Sequence, residues 1–124
     1  MAHSRFENLR VWRDAHGLAL DLSRLARGFP ADERYELAIQ LRRAARSVGA
    51  NIAEGAGSQS PSTFLRHLGI ALGSAAEVEN HLLCARDEGY ITPEACQQLR
   101  ERVGNIRGLM VLLARSLVRA RDRR

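Results

Sequence analysis

Cys96-x-x-Leu99-x-x-x-Val103-x-x-Ile106-x-x-x-Met110-x-x-Leu113-x-x-x-Leu117 places apolar residues at alternating steps of three and four. That spacing is a heptad seam, one apolar stripe along a long α-helix that must pack against other helices. Thr92-Pro93 opens it, an N-cap residue followed by proline at the first helical position. Three further stripes precede it. Phe64, Leu68, Ala71, Ala75, Val78 and Leu82 mark a helix over 61–88, opened by Ser60-Pro61 and stopped at Glu88-Gly89-Tyr90. Leu37, Leu41, Ala44, Val48 and Ile52 mark one over 32–56, started by either Pro30 or Asp32. Val11, Ala15, Leu18, Leu22, Leu25 and Phe29 mark one over 8–28, ended by Gly28-Phe29-Pro30. With the fourth over 93–120, these are helices of about 20–29 residues, roughly 30–44 Å each. Short loops between them predict an all-α, antiparallel up-down-up-down four-helix bundle forming a single domain over 1–124.

Composition agrees. The 124 residues are 45% hydrophobic and 27% charged, enough to bury a core and too apolar for disorder. Three prolines, few aromatics and few β-branched residues argue against a sandwich or barrel. The longest apolar run, Leu109 to Ala114, falls far short of the 18 or so residues of a membrane span. No secretory signal opens the chain, and Cys84 and Cys96 form no CxxC, so reduced thiols and a cytoplasmic location are expected. Gly55 and Gly57 are not followed by the Gly-Lys-Ser/Thr of a phosphate-binding loop, and there is no nucleophile elbow. Glu77, His81 and Cys84 share a helix face, but three mixed ligands without a supporting motif read as a surface patch. No catalytic residue, metal or cofactor is expected.

Gln40, Arg43, Ser47, Asn51 and Glu54 form a second stripe on the second helix, rotated roughly 110° from the apolar one. Three readings compete: a solvated shoulder, a hydrogen-bond and ion-pair network with a neighbouring helix or subunit, or a ligand site. Glu79 falls among the apolar positions of the third helix, where a carboxylate needs a partner. Arg43, with a planar guanidinium able to grip it bidentately, is the candidate. Gly69, Gly73 and Ala76 edge the same helix, and mid-helix glycines fit best where another backbone approaches, within the bundle or across subunits. Ile39, Ile70 and Cys84 lie off the core stripes and would be covered by a homo-oligomer.

The net charge is +5, and all 19 basic residues are arginine. Codon bias in a GC-rich genome is the simpler reading; selection for planar, bidentate phosphate contacts is the alternative, and arginine-only usage leaves such contacts available without proving them. Arg107, Arg115, Arg119, Arg121, Arg123 and Arg124 crowd the C-terminal segment against one Asp. Arg115, Arg119, Arg121, Arg123 and Arg124 are either a solvated tail or a phosphate-binding patch, strengthened where several copies gather. No aromatics are interleaved with them, so base stacking by this segment is not indicated.

The string Phe29-Pro30-x-x-Glu33-x-Tyr35-x-Leu37-x-x-Gln40-Leu41-Arg42-Arg43-Ala44-Ala45-x-Ser47-Val48-x-x-Asn51-Ile52-Ala53-Glu54-Gly55 resembles the four-helix-bundle family of 23S rRNA intervening-sequence proteins. Phe6-x-x-Leu9-x-Val11-Trp12-x-x-Ala15, Phe64-Leu65-x-x-Leu68-x-Ile70-Ala71-x-Gly73-Ser74-x-x-Glu77 and Gly89-Tyr90-Ile91 extend the resemblance along nearly the whole chain. It implies a non-enzymatic antiparallel bundle assembling as a ring of five subunits. The related accessory variability proteins of diversity-generating retroelements bind nucleic acid and a reverse transcriptase, so a reverse transcriptase is expected as partner only in a retroelement setting. One departure is that 56–63 carries no charge where the family often has basic residues. The leading expectation is a homo-oligomer that binds nucleic acid or a nucleoprotein; the alternative is a structural or protein-interaction scaffold.

Overall fold

The computed structural model describes residues 6–33 and 36–123. Among these residues there are four α-helices and no strand: α1 Arg10–Ala26, α2 Leu37–Gly57, α3 Pro61–Asp87 and α4 Pro93–Asp122. Single 3-10 turns lie at Phe6–Asn8 and Ala31–Glu33.

The helix ends follow local chemistry. Ser60 Oγ accepts from the Thr63 N–H at 3.3 Å and Thr92 Oγ1 from the Ala95 N–H at 3.1 Å, each with proline next in the chain. These bonds satisfy amides that have no partner inside the first helical turn. α3 stops where Gly89 adopts φ +80°, which lets the Tyr90 N–H reach the Ala85 carbonyl at 2.8 Å. α2 departs from the sequence expectation, because helix begins at Leu37 rather than near residue 32. The Ala31–Glu33 stretch is spent on a 3-10 turn instead. Phe29, buried just beyond the end of α1, has its ring 5.5 Å from that of Tyr90.

The core holds the stripes read from the sequence. Val11, Ala15, Leu18, Leu22, Leu41, Ala44, Val48, Ile52, Leu68, Ala71, Ala75, Val78, Leu82, Cys96, Val103, Ile106 and Met110 are buried. Leu25, Leu37, Phe64, Leu99, Leu113 and Leu117 are partly buried against them. At mid-height a void of about 10 Å³ is lined by two residues from each helix: Ala15 and Leu18, Ala45 and Val48, Ala75 and Val78, Val103 and Ile106. All four helices therefore meet around one axis, as a four-helix bundle requires. Each helix packs on the next in sequence, and α1 packs also on α4.

Gly55 is the position where helix packing demands glycine. A Cβ there would lie 2.5 Å from Phe64 Cδ1 and 3.2 Å from His67 Cβ. Gly69 and Gly73 have nothing within 4 Å of such a Cβ. Among the described residues no backbone approaches them, so close packing within the bundle does not account for these two glycines.

α1 is short, 17 residues against 30 in α4. Asp21 meets Arg102, Asp14 lies beside Asn105, and Arg10 borders the stretch from Gly104 to Arg115. The last turns of α4 therefore run beyond the start of α1. Val111 and Leu112 are left exposed there, Leu112 by 59%.

Candidate functional site

Three regions bear on the polar residues singled out above: the α2–α3 seam, the α3–α4 contact around Glu79, and the end of α4. Along the seam, Ser74 is the one buried polar residue among those described, 6% exposed. A buried hydroxyl needs a partner. Ser74 Oγ donates to Ser47 Oγ at 2.8 Å. One turn along α2, the Asn51 amide donates to the Ser47 carbonyl at 2.9 Å and to Ser47 Oγ at 3.1 Å. With its nitrogen so engaged, the Asn51 oxygen is left as an acceptor, and it meets His67 Nδ1 at 3.1 Å. That arrangement assigns the Nδ1 proton to neutral His67, because only a donor suits an amide oxygen. Glu54 Oε2 lies 3.5 Å from the same Nδ1. The result is a chain Ser74–Ser47–Asn51–His67–Glu54 that ties α2 to α3. As it advances along α2 from Ser47 to Asn51, its partners step back along α3 from Ser74 to His67.

Of the five stripe residues, then, Ser47, Asn51 and Glu54 form an inter-helix network. Gln40 and Arg43 are exposed and make no side-chain bond among the described residues. The expected pairing of Arg43 with Glu79 is therefore wrong. Glu79 Oε2 accepts from Arg100 Nε at 3.1 Å and Nη2 at 2.9 Å, and its Oε1 accepts from Arg107 Nη2 at 3.3 Å. The reason is rotational. Ser74 and Glu79 are five residues apart and so point roughly 140° apart around α3. The side of α3 that faces α2 at Ser74 turns Glu79 toward α4. Arg100 and Arg107, a heptad apart on α4, present two guanidinium groups to it. No network member has the nucleophile–base geometry of a hydrolase, since Ser47 is bonded to an amide and a hydroxyl rather than to the imidazole.

At the end of α4, Arg115, Arg119, Arg121 and Arg123 are all exposed. Arg121 Nε donates to Asp122 at 3.1 Å, an exposed pair that leaves the guanidinium largely free. Arg115, Arg119 and Arg123 have no acidic partner among the described residues. Arg124 lies outside them. Arg107, counted with this basic segment in the sequence, is engaged by Glu79. Among the described residues no group of three or more His, Cys, Asp or Glu side chains could hold a metal ion, and no helix is long and apolar enough to cross a membrane.

Sequence reasoning missed His67 and Ser74, which complete the seam, and Arg100, which grips Glu79. The signal for the first two was available: His67 and Ser74 are seven residues apart on α3, as Ser47 and Glu54 are on α2. Facing polar pairs at equal spacing on consecutive helices mark a shared seam.

These features define a four-helix bundle with a polar seam between its second and third helices and a basic end on its fourth. The family model for the 23S rRNA-intervening sequence protein matches residues 7–111, and the chain belongs to that family. A similar solved structure is a protein of unknown function from the S23 ribosomal protein family of Bacteroides thetaiotaomicron VPI-5482. It shares 26% identity, with a TM-score of 0.79, over 85% of this chain and 95% of that one. No curated protein matches the chain.

Proposed function

We propose that the protein is a non-enzymatic homo-oligomer, a ring of five antiparallel up-down-up-down bundles, that binds nucleic acid through the ends of its α4 helices. The observation that carries this reading is the row Arg115, Arg119 and Arg123 at the end of α4, exposed and without acidic partners among the described residues. Arginines so placed suit phosphate oxygens, which they grip bidentately. A single copy offers few contacts. Cyclic symmetry would bring five copies of the segment to one rim, about 25 guanidinium groups with Arg124 included.

Support for association comes from what one protomer leaves uncovered: Val111 and Leu112 on α4, Ile70 on α3 and Leu20 on α1. A ring needs two different patches that meet across each interface, and these residues lie on three helices. The backward step of partners along α2 and α3 supports the antiparallel course. The names of the family and of its solved relative make RNA the first nucleic acid to try. A reverse transcriptase enters as partner only where the gene sits in a retroelement. Cytoplasmic residence and the absence of any cofactor belong to the same reading.

Light scattering tests assembly, and retention of a labelled RNA at low salt tests binding. The expected results are one species near five times 13.8 kDa and binding that high salt abolishes. A stable monomer at micromolar concentration overturns the ring. Assembly without any binding leaves the alternative, a structural or protein-interaction scaffold.

A further inference from the structure

We infer that the groove between α1 and α2 holds a base of single-stranded nucleic acid, stacked on His16 with its phosphate on Arg46. The inference rests on the nucleic-acid reading above but names a second contact, away from the α4 ends. The groove measures about 270 Å³ and is lined by Trp12, His16, Ala19, Arg46, Ala50 and Ala53 among others. That is just below the roughly 300 Å³ at which drug-sized pockets begin, a size for one planar ring rather than a larger ligand. Half of its lining residues are alanines, whose small side chains leave room for a ring between Trp12, His16 and Arg46.

One wall is already a stack. The rings of Trp12 and His16 lie 4.6 Å apart and 12° from parallel. Phe6 abuts the indole edge-on at 5.0 Å, and Gly49 closes on its Nε1 side, where a Cβ would come within 3.6 Å. The indole is thereby held from several sides, while His16 is exposed. His16, at the end of the stack, is exposed, and a base laid on its imidazole would continue the stack. Aromatic platforms of this kind bind bases regardless of sequence, because every base has a π-face.

The charge agrees. The lining residues include Arg46 and no carboxylate. Arg46 is exposed and makes no ion pair or side-chain hydrogen bond among the described residues, whereas Arg13 on the neighbouring turn is committed to the Asn8 carbonyl at 2.7 Å. An apolar side chain from a second copy would pack on the alanines but gain nothing from the cation beside them. A nucleotide uses both.

Trp12 is the chain's single tryptophan, so its fluorescence reports on this groove alone. The test is titration with a single-stranded oligoadenylate and with an RNA duplex of equal length, following Trp12 emission and anisotropy of labelled strands. The expected result is saturable quenching by the single strand and none by the duplex. His16→Ala should weaken single-strand binding about tenfold, and Arg46→Ala should weaken it less. Both variants should leave duplex binding and oligomer mass unchanged, as substitutions of exposed helix residues. Duplex binding with steep salt dependence but a silent Trp12 overturns this inference and leaves the α4 reading standing. No binding of either nucleic acid overturns both. Emission that shifts on dilution of the protein, with no response to oligoadenylate, marks the groove as a subunit contact and overturns the base site.

Discussion

Arg107 of α4 donates to Glu79 of α3 at 3.3 Å, and Arg100 one heptad earlier holds the other oxygen of the same carboxylate. Two arginines on one glutamate fix the rotation of α3 against α4. They also remove Arg107 from the basic segment, so the free positive charge starts at Arg115. The division of labour is by face as well as by position: Met110, Leu113 and Leu117 continue the packed seam along α4, while Arg115, Arg119 and Arg123 are exposed on its last turns.

Loss of that carboxylate should be felt. Glu79 is only 26% exposed, so Glu79→Gln removes charge-assisted bonds that are partly shielded from water. A cost of about 1–2 kcal/mol is expected, after discount for the remaining solvent access. Arg43→Ala, at an exposed position, should change stability by less than about 0.5 kcal/mol. Urea melts of both variants at one protein concentration decide; equal shifts for the two would contradict the assignment.

Gly55→Ala should destabilise by about 1–3 kcal/mol, since its Cβ would meet the Phe64 ring and His67 Cβ together. Better helix propensity returns at most about 1 kcal/mol. Displacing His67 also disturbs its bond to Asn51. The check is thermal unfolding, with His67 side-chain resonances observed by NMR; an unchanged melting temperature and unchanged resonances would refute the tight packing.

The stripes, caps and loop lengths made the fold legible in the sequence, because burial repeats every three or four residues and Ser60-Pro61 and Thr92-Pro93 announce their own helix starts. The start of α2 was not legible. Pro30 and Asp32 are both good opening residues, but the chain spends Ala31–Glu33 on a 3-10 turn and α2 begins only at Leu37. Of the polar residues, the stripe Ser47–Asn51–Glu54 could be seen, and the equal seven-residue spacing of His67 and Ser74 pointed to its partners without saying which residue bonds which. Periodicity says that Glu79 lies near the core and is silent on which neighbouring helix it faces. The Trp12–His16 stack was equally hidden, since an i,i+4 aromatic pair reads as ordinary core until the exposure of His16 is known.

Assembly should depend on the apolar end of α4. Leu112→Asp places a charge on a side chain that is 59% exposed in the protomer, so a protomer alone should tolerate it. In the proposed ring it should split the oligomer at micromolar concentration. Gly73→Ala is a companion test: with nothing within 4 Å among the described residues, it should stabilise an isolated protomer yet lower the apparent mass where a neighbouring subunit packs on α3. Multi-angle light scattering reads both; full-sized assemblies from both variants would remove these faces from the interface.

The most direct measurement is the slope of log K against log salt for duplex binding, by the full-length chain and by a chain lacking residues 119–124. Each phosphate neutralised contributes about 0.9 to that slope. Truncation removes Arg119, Arg121, Arg123 and Arg124 while sparing the heptad seam, which ends at Leu117. The expected result is an intact oligomer, weaker binding, and a slope shallower by about 2 or more. An identical slope and affinity in the truncated chain would contradict the assignment of nucleic-acid binding to the α4 ends.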